Sequence, residues 1–234
     1  MSQSTNVRAA LQRARETALA VTPLVTPEEE AMWERDRTAL IALVTALAAA
    51  LIEQRITVAE WQAAMRQLIL RSHTLAYAVG RGGLQLLTPA DVQRIEARAA
   101  GQFSFLGQWA SGITLAAGLD AALTAAGNAV SLRQFQARAS MYIEAALASL
   151  SEGKSVALGL PSLPAYAGDG TTRCLVNCHC AWRIKLLSEG NADCYWLLGA
   201  AEHCEHCPRR ALAWSPIRIR NGELLPYVRV GLFL

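Results

Sequence analysis

The chain has 234 residues, room for one or two domains with a sizeable core. Its 22 Lys and Arg against 19 Asp and Glu leave a bias too slight for bulk electrostatics to argue a polyanionic partner. Alanine supplies much of the 53% hydrophobic content and aromatics only 6%, which favours closely packed helices over a sheet-rich fold.

Residues 1–25 are expected to form an N-terminal arm. Val7, Leu11 and Ala18 give residues 1–20 a weak amphipathic face, and Pro23 ends that stretch. The opening MSQSTNVRAALQRARE has no apolar core of the secretory type. The protein is therefore expected in a reducing cytoplasm, where clustered cysteines favour metal over disulfides.

A helical body is predicted over 26–152. Thr26-Pro27-Glu28-Glu29 combines a capping threonine, proline in the first turn and acidic residues at the positive end of the helix dipole. That helix should run to about Gln54. Its apolar run Ala39–Ile52 is shorter than the ~20 residues a bilayer span needs, so a buried or oligomer-packed helix is expected and no membrane partner. A second capping box, Thr57 to Glu60, opens a helix carrying Trp61, Met65, Leu68, Ile69 and Ala76, which ends at Gly80-Arg81-Gly82-Gly83. Thr88-Pro89-Ala90-Asp91 starts a third, through Val92, Ile95, Ala99, Phe103 and Leu106, with Gly101, Gly107 and Gly112 as points of kinking or close approach. Ser131 starts a fourth, carrying Phe135, Ala139, Tyr142, Ile143 and Ala146; the Ala-rich Gly118 to Val130 between them reads as short helix or loop. Together these make a helical hairpin or bundle.

Residues 153–170, with Pro161, Pro164, Gly168 and Gly170, read as an extended linker. The remaining 171–234 form a small α+β module. Ile217-Arg218-Ile219-Arg220 alternates, Asn221-Gly222 is a two-residue turn signal, and Glu223 to Val228 returns as the second strand of a hairpin. Val230 to Leu234 completes that sheet or packs on a neighbour.

All six cysteines lie in this module, with three of the four histidines. Residues 1–170 balance 14 basic against 14 acidic groups, whereas 171–234 carry eight against five. Cys204-Glu205-His206-Cys207 is a C-x2-C knuckle, a spacing at which two thiolates grip one tetrahedral ion. The other half is Cys174-x3-Cys178-x-Cys180, looser than a ribbon's second knuckle. If Asn177 to Trp182 is extended, Cys178 and Cys180 share a face, one as ligand and the other as a packed thiol. The expected ligand set is four of Cys174, Cys178, Cys180, Cys204 and Cys207 around one structural zinc, whose four thiolates would offset the local positive excess with about −2. The plainer alternative is free thiols, or a redox pair at Cys204 and Cys207. Cys194, among aromatics, reads as a core thiol. His179, His203 and His206 read as groups flanking the ligands, with His203 or His206 able to replace a cysteine; His73, alone on a helix, reads as structural.

Catalysis is not expected. H-x-E followed by P-C-x-x-C, H-E-x-x-H, a P-loop and a G-x-S-x-G elbow are all missing, and Pro208 after Cys207 rules out a haem-attachment motif. Trp182, Trp196 and Trp214 read as core beside the metal. The competing reading stacks them on bases, with Arg209, Arg210, Arg218 and Arg220 on phosphates.

GLPSLPAYAGDGTTRCLVNCHCAWRI followed by YWLLGAAEHCEHCPRRALAWSP resembles the C-terminal module of tailed-bacteriophage head morphogenesis, or minor head, proteins. In that family a Pro-Gly-Asp-Gly turn precedes a Cys-x3-Cys-x-Cys-x-Trp run, and an aromatic-rich helix leads into His-Cys-x-x-Cys. Here Ala167 stands at the proline position. GQFSFLGQWASGI and SLRQFQARASMYIEAALASL are similar to that family's aromatic helix and Arg-Ala-x-x-Tyr helix. The likeness spans roughly 100–216. It implies a minor capsid protein associated with the portal: a virion component assembled in the host cytoplasm, touching portal or capsid proteins and copies of itself, with packaged DNA as a further contact. The alternative from another class is a zinc-ribbon nucleic-acid-binding protein.

Overall fold

The protein is described from a computed structural model covering residues 22–115, 132–199 and 203–227. Most of the expected arm, the Ala-rich stretch between the third and fourth helices, and the apolar end after Val228 lie outside the described residues.

The helical body follows its start signals. In α1 (Pro27–Ile52) the Thr26 hydroxyl accepts from the Glu29 amide, and Glu29 accepts from the Thr26 amide at 2.9 Å. α2 (Val58–Arg81) opens with the same reciprocal pair between Thr57 and Glu60, and stops at Gly82, whose φ of 93° is left-handed. α3 (Pro89–Leu115) starts at Thr88, whose amide and hydroxyl both donate to Asp91. Asp91 is buried. Tyr77 donates to it at 2.8 Å and Arg81 and Arg94 pair with it, so the cap of α3 is tied to the end of α2.

The expected fourth helix is two. α4 (Leu132–Glu144) ends where the chain tightens into i→i+3 hydrogen bonds at Ala146, and α5 (Leu147–Ala157) follows. α5 packs on α2, the helix that also meets α1 and α3. Contact is closest at two glycines: a methyl on Gly80 would lie 2.2 Å from the Leu150 carbonyl oxygen, and one on Gly153 would lie 2.3 Å from that of Tyr77. Only residues without a side chain fit there. Around α2 the apolar stripe Trp61, Met65, Ile69 and Ala76 meets Val44, Leu106, Phe135 and Ile143 in one core.

The C-terminal part is a five-stranded antiparallel sheet in the order β1 (Thr22–Pro23), β2 (Ala181–Ser188), β3 (Asn191–Leu197), β4 (Ile217–Arg220), β5 (Glu223–Leu224). A helix, α6 (His206–Ala213), joins β3 to β4. Inward Trp182 and Ile184 of β2 face Ala192, Cys194 and Trp196 of β3, while neighbouring residues point out. Asn221 (φ 52°) and Gly222 (φ 78°) make the expected two-residue hairpin turn.

Four expectations are corrected. The linker predicted over 153–170 begins as the last turn of α5, and its remainder is built into a core: Leu160, Leu163, Ala165, Tyr166 and Ala167 are buried against the sheet. Proline content misled there, because proline also suits irregular chain packed on a sheet. The arm does not stop short of the module either, since β1 pairs with β2 and Leu24 enters the sheet's core; Pro23 is tolerated because β1 is an edge strand. The aromatic-rich segment before the second knuckle, helical by family resemblance, is strand β3, its alternation of buried and half-buried side chains having period two. Finally, the run expected from Asn177 begins one residue later: Asn177 closes a 3-10 turn (Leu175–Asn177), and from Cys178 burial alternates, so Cys178 and Cys180 share a buried face with His179 exposed between them.

His73 is buried, with a hydrogen-bond partner at each ring nitrogen. The Gln102 amide lies 2.8 Å from Nε2 and must donate, so Nδ1 carries the proton and donates to Ser149 Oγ at 2.7 Å. Burial, with the Arg98 charge second, lowers its pKa to about 4. Between about pH 4 and the ordinary 6.5 the unfolded chain thus binds a proton that the folded chain refuses. This contribution is complete above 6.5 and declines as pH falls towards 4. We predict that His73→Gln flattens the loss of urea-denaturation midpoint across that window. The slope removed is up to roughly 1.4 kcal/mol per pH unit. We also predict that Gly153→Ala lowers stability by about 1–3 kcal/mol, through overpacking against α2. Gly101→Ala, with open space around it, raises stability by about 0.5–1 kcal/mol in the same urea series.

Candidate metal centre

Five sulfurs converge from two segments. Cys174 and Cys178 flank the 3-10 turn, Cys180 leads into β2, Cys204 precedes α6, and Cys207 lies in the first turn of α6. Cys178 Sγ is 3.8 Å from Cys207 Sγ, and Cys204 Sγ is 3.7 Å from it. A tetrahedral ion with metal–sulfur bonds of about 2.3 Å sets its sulfurs roughly 3.8 Å apart, whereas a disulfide needs about 2.05 Å. All six cysteines are free thiols. The sulfurs fall into two trios that can hold a metal ion, Cys174–Cys204–Cys207 and Cys178–Cys180–Cys207, each with its members within 4.8 Å of one another. All five predicted ligands are thus in the cluster. Cys194 is outside both trios, fully buried in the sheet's core, with its pKa pushed up to about 12 by burial and then by Asp193.

Backbone amides aim at these sulfurs. The N–H groups of Cys180 and Gly168 donate to Cys178, that of Gly199 to Cys180, that of Cys204 to Cys174, and those of Cys207, His206 and Cys174 to Cys204. Such donors stabilise thiolate, the form a metal requires. The Cys180 and Cys207 thiols, with those amides, hold Cys178 far down at about 2 against the effect of burial. Cys180, donating to Cys178, is pushed up to about 12, and Cys207 is pushed up for the same reason. Burial raises Cys204, but the Cys174 thiol and the amides outweigh it and bring it to about 6; Cys174, partly desolvated and donating to Cys204, goes up.

The Gly168-Asp169-Gly170 turn forms one wall. Both glycines have positive φ, 77° and 78°, so the chain doubles back sharply. The Asp169 carboxylate accepts from the Tyr166 amide at 2.8 Å, the Thr171 amide at 2.9 Å and the Thr171 hydroxyl. This is what points the Gly168 amide at Cys178. On the other side, Gly199 passes so close to His179 that a methyl there would lie 2.2 Å from the His179 carbonyl oxygen.

The histidines separate clearly. His179 is exposed and faces away from any role as ligand. His203 Nε2 donates to the Gly199 carbonyl at 3.0 Å, which leaves Nδ1 unprotonated, 3.8 Å from Cys180 Sγ. His206 is buried, with Nδ1 4.0 Å from Cys204 Sγ and Nε2 without a hydrogen-bond partner among the described residues.

Trp182, Trp196 and Trp214 are buried against one another, with ring centroids 5.2–5.9 Å apart. Arg210 is buried too, 5.4 Å from the Trp196 ring centre and 5.0 Å from that of Trp214, and donates to Thr171 at 2.8 Å. Arg220 binds Asp193 and two backbone carbonyls, while Arg209 and Arg218 are exposed. Sequence reasoning missed the internal role of Arg210. Its place one helical turn after Cys207 was the available signal.

Scans of protein-family models, of curated proteins and of solved structures find nothing that matches this chain. The geometry speaks alone.

Asp169→Ala removes the acceptor for two backbone amides and loosens the turn behind Cys178. We predict a loss of about 1–3 kcal/mol, read as a lowered urea midpoint; an unchanged midpoint would remove the turn from the support of the site.

Proposed function

We propose that this protein is a non-enzymatic structural component of a tailed-bacteriophage head, a portal-associated minor capsid protein whose C-terminal module is stiffened by zinc. One observation carries the metal: thiols from residues 174–180 and 204–207 meet at the spacing of sulfurs around a tetrahedral ion, with backbone amides donating to four of them. An all-nitrogen-and-sulfur donor set with tetrahedral spacing favours zinc over the oxygen-seeking divalent ions. The head-assembly role is supported by the resemblance of the 100–216 region and by an alanine-rich helical body suited to docking on helices of a portal or of another copy. Zinc in such a module acts through folding: its binding free energy holds loop, sheet and α6 in one arrangement.

The nucleic-acid reading is weaker. Its stacking platforms, the three tryptophans, are in the core, and Arg210 and Arg220 are engaged internally. It keeps the exposed Arg209 and Arg218. A DNA affinity that falls steeply with salt and is lost on replacing those two would favour it.

The test of the metal is elemental analysis of protein purified without chelator. Zinc should be present in stoichiometric amount, reduced or abolished by Cys204→Ser or Cys207→Ser, and unchanged by Cys194→Ser. The test of the role is co-assembly with portal rings, expected to survive charge reversal at Arg209 and Arg218.

A further inference from the structure

We infer that the module binds two tetrahedral ions, joined by Cys207 as a bridging thiolate. This deepens the metal reading above and rests on it. Two tetrahedra sharing one corner need seven donors, one fewer than two separate tetrahedra. The cluster supplies seven: five sulfurs in two trios with Cys207 common to both, and one imidazole beside each trio.

The first ion is held by Cys178, Cys180 and Cys207, with His203, which borders this trio at Cys180, turning in as the fourth ligand. His203 is prepared for it, because the Gly199 carbonyl takes the Nε2 proton and leaves the Nδ1 lone pair on the side of Cys180. The second is held by Cys174, Cys204 and Cys207, with His206, which borders that trio at Cys204 through Nδ1, closing on it as the fourth ligand. Cys207 sits between, fully buried, 3.8 Å from Cys178 and 3.7 Å from Cys204.

A single ion fits this arrangement poorly. It would take one trio and a fourth ligand, although both trios are equally formed. An ion in either trio would also leave two thiols of the other as spectators, although Cys178 and Cys180 are both buried and receive amide donors. Charge points the same way. Five thiolates with two divalent ions sum to about −1, and the buried guanidinium of Arg210, three residues after Cys207 on α6, brings the sum near zero. Loading exchanges the thiol protons for metal and releases them to solvent, with no change of oxidation state.

The full chain, purified without chelator, is expected to carry two zinc ions by native mass spectrometry. Cys174→Ser and Cys180→Ser each disturb one trio and should each leave one ion, with circular dichroism reporting the fold. Replacement of zinc by cadmium-113 should give two resonances split by mutual coupling through the shared sulfur. One ion per chain overturns the pair while leaving the structural-zinc reading intact. Two uncoupled resonances overturn the bridge. Absence of metal from protein that refolds in excess zinc overturns both readings.

Discussion

The constraint on which the C-terminal half depends is the meeting of five sulfurs around Cys207. Bringing uncharged thiols together at 3.7–3.8 Å requires only ordinary packing, but bringing thiolates together requires a counter-charge. The surrounding chain is arranged for the charged form. Amides of Gly168, Cys180, Gly199, Cys204, His206 and Cys207 donate to the cluster, and the Arg210 guanidinium lies within the same core. An apolar pocket for five neutral thiols would have no use for so many donors. Glycine places two of these amides: the positive φ of Gly168 lets the chain turn at Asp169, and Gly199 passes over His179 where a side chain would clash.

The helical body and the sheet are stitched together at both ends of the chain's helical part. Before α1, the residues Thr22–Leu24 belong to the sheet; after α5, residues 158–167 run beneath it. Lys154 of α5 pairs with Glu29, the residue that completes the cap of α1, so the two seams are joined by an ion pair as well. Because α5 is fixed to α2 by the Gly80 and Gly153 contacts, the wall of the cysteine cluster is continuous with the most tightly packed part of the body. A module attached this way moves with the body. It does not swing on a linker.

What was legible in the sequence follows from local chemistry. Thr26, Thr57 and Thr88 announce helix starts by capping patterns that operate within four residues, and Asn221-Gly222 announces a hairpin by its backbone preference. The five clustered cysteines were legible because nothing else in the chain competes for them. The rest depended on partners distant in sequence. Leu160, Leu163 and Tyr166 look like a linker until the sheet that covers them is in place, and Pro23 looks like a breaker until β2 supplies an edge. Tyr195 and Trp196 suit helix or strand alike, and pairing with β2 decides it. Which sulfurs group together was not legible either, because spacing along the chain fixes the C-x2-C pair but not the fold of a C-x3-C-x-C run.

The metal cluster and the aromatic core are one structure, and this explains why so small a sheet can be rigid. Arg210 presents its guanidinium to the faces of Trp196 and Trp214, a contact worth ~2 kcal/mol when dry, and its hydrogen bond to Thr171 reaches the Asp169 turn. That turn donates to Cys178, and Cys207 begins the helix that carries Arg210. The loop is closed: sulfur, helix, arginine, indole, turn, sulfur. A disturbance anywhere on it is felt at the ligands, so metal binding and core packing stabilise each other. Arg210 Nε and Nη1 have no hydrogen-bond partner among the described residues, and they meet the two indole faces instead. A buried positive charge left incompletely bonded is costly on its own and less so against aromatic faces.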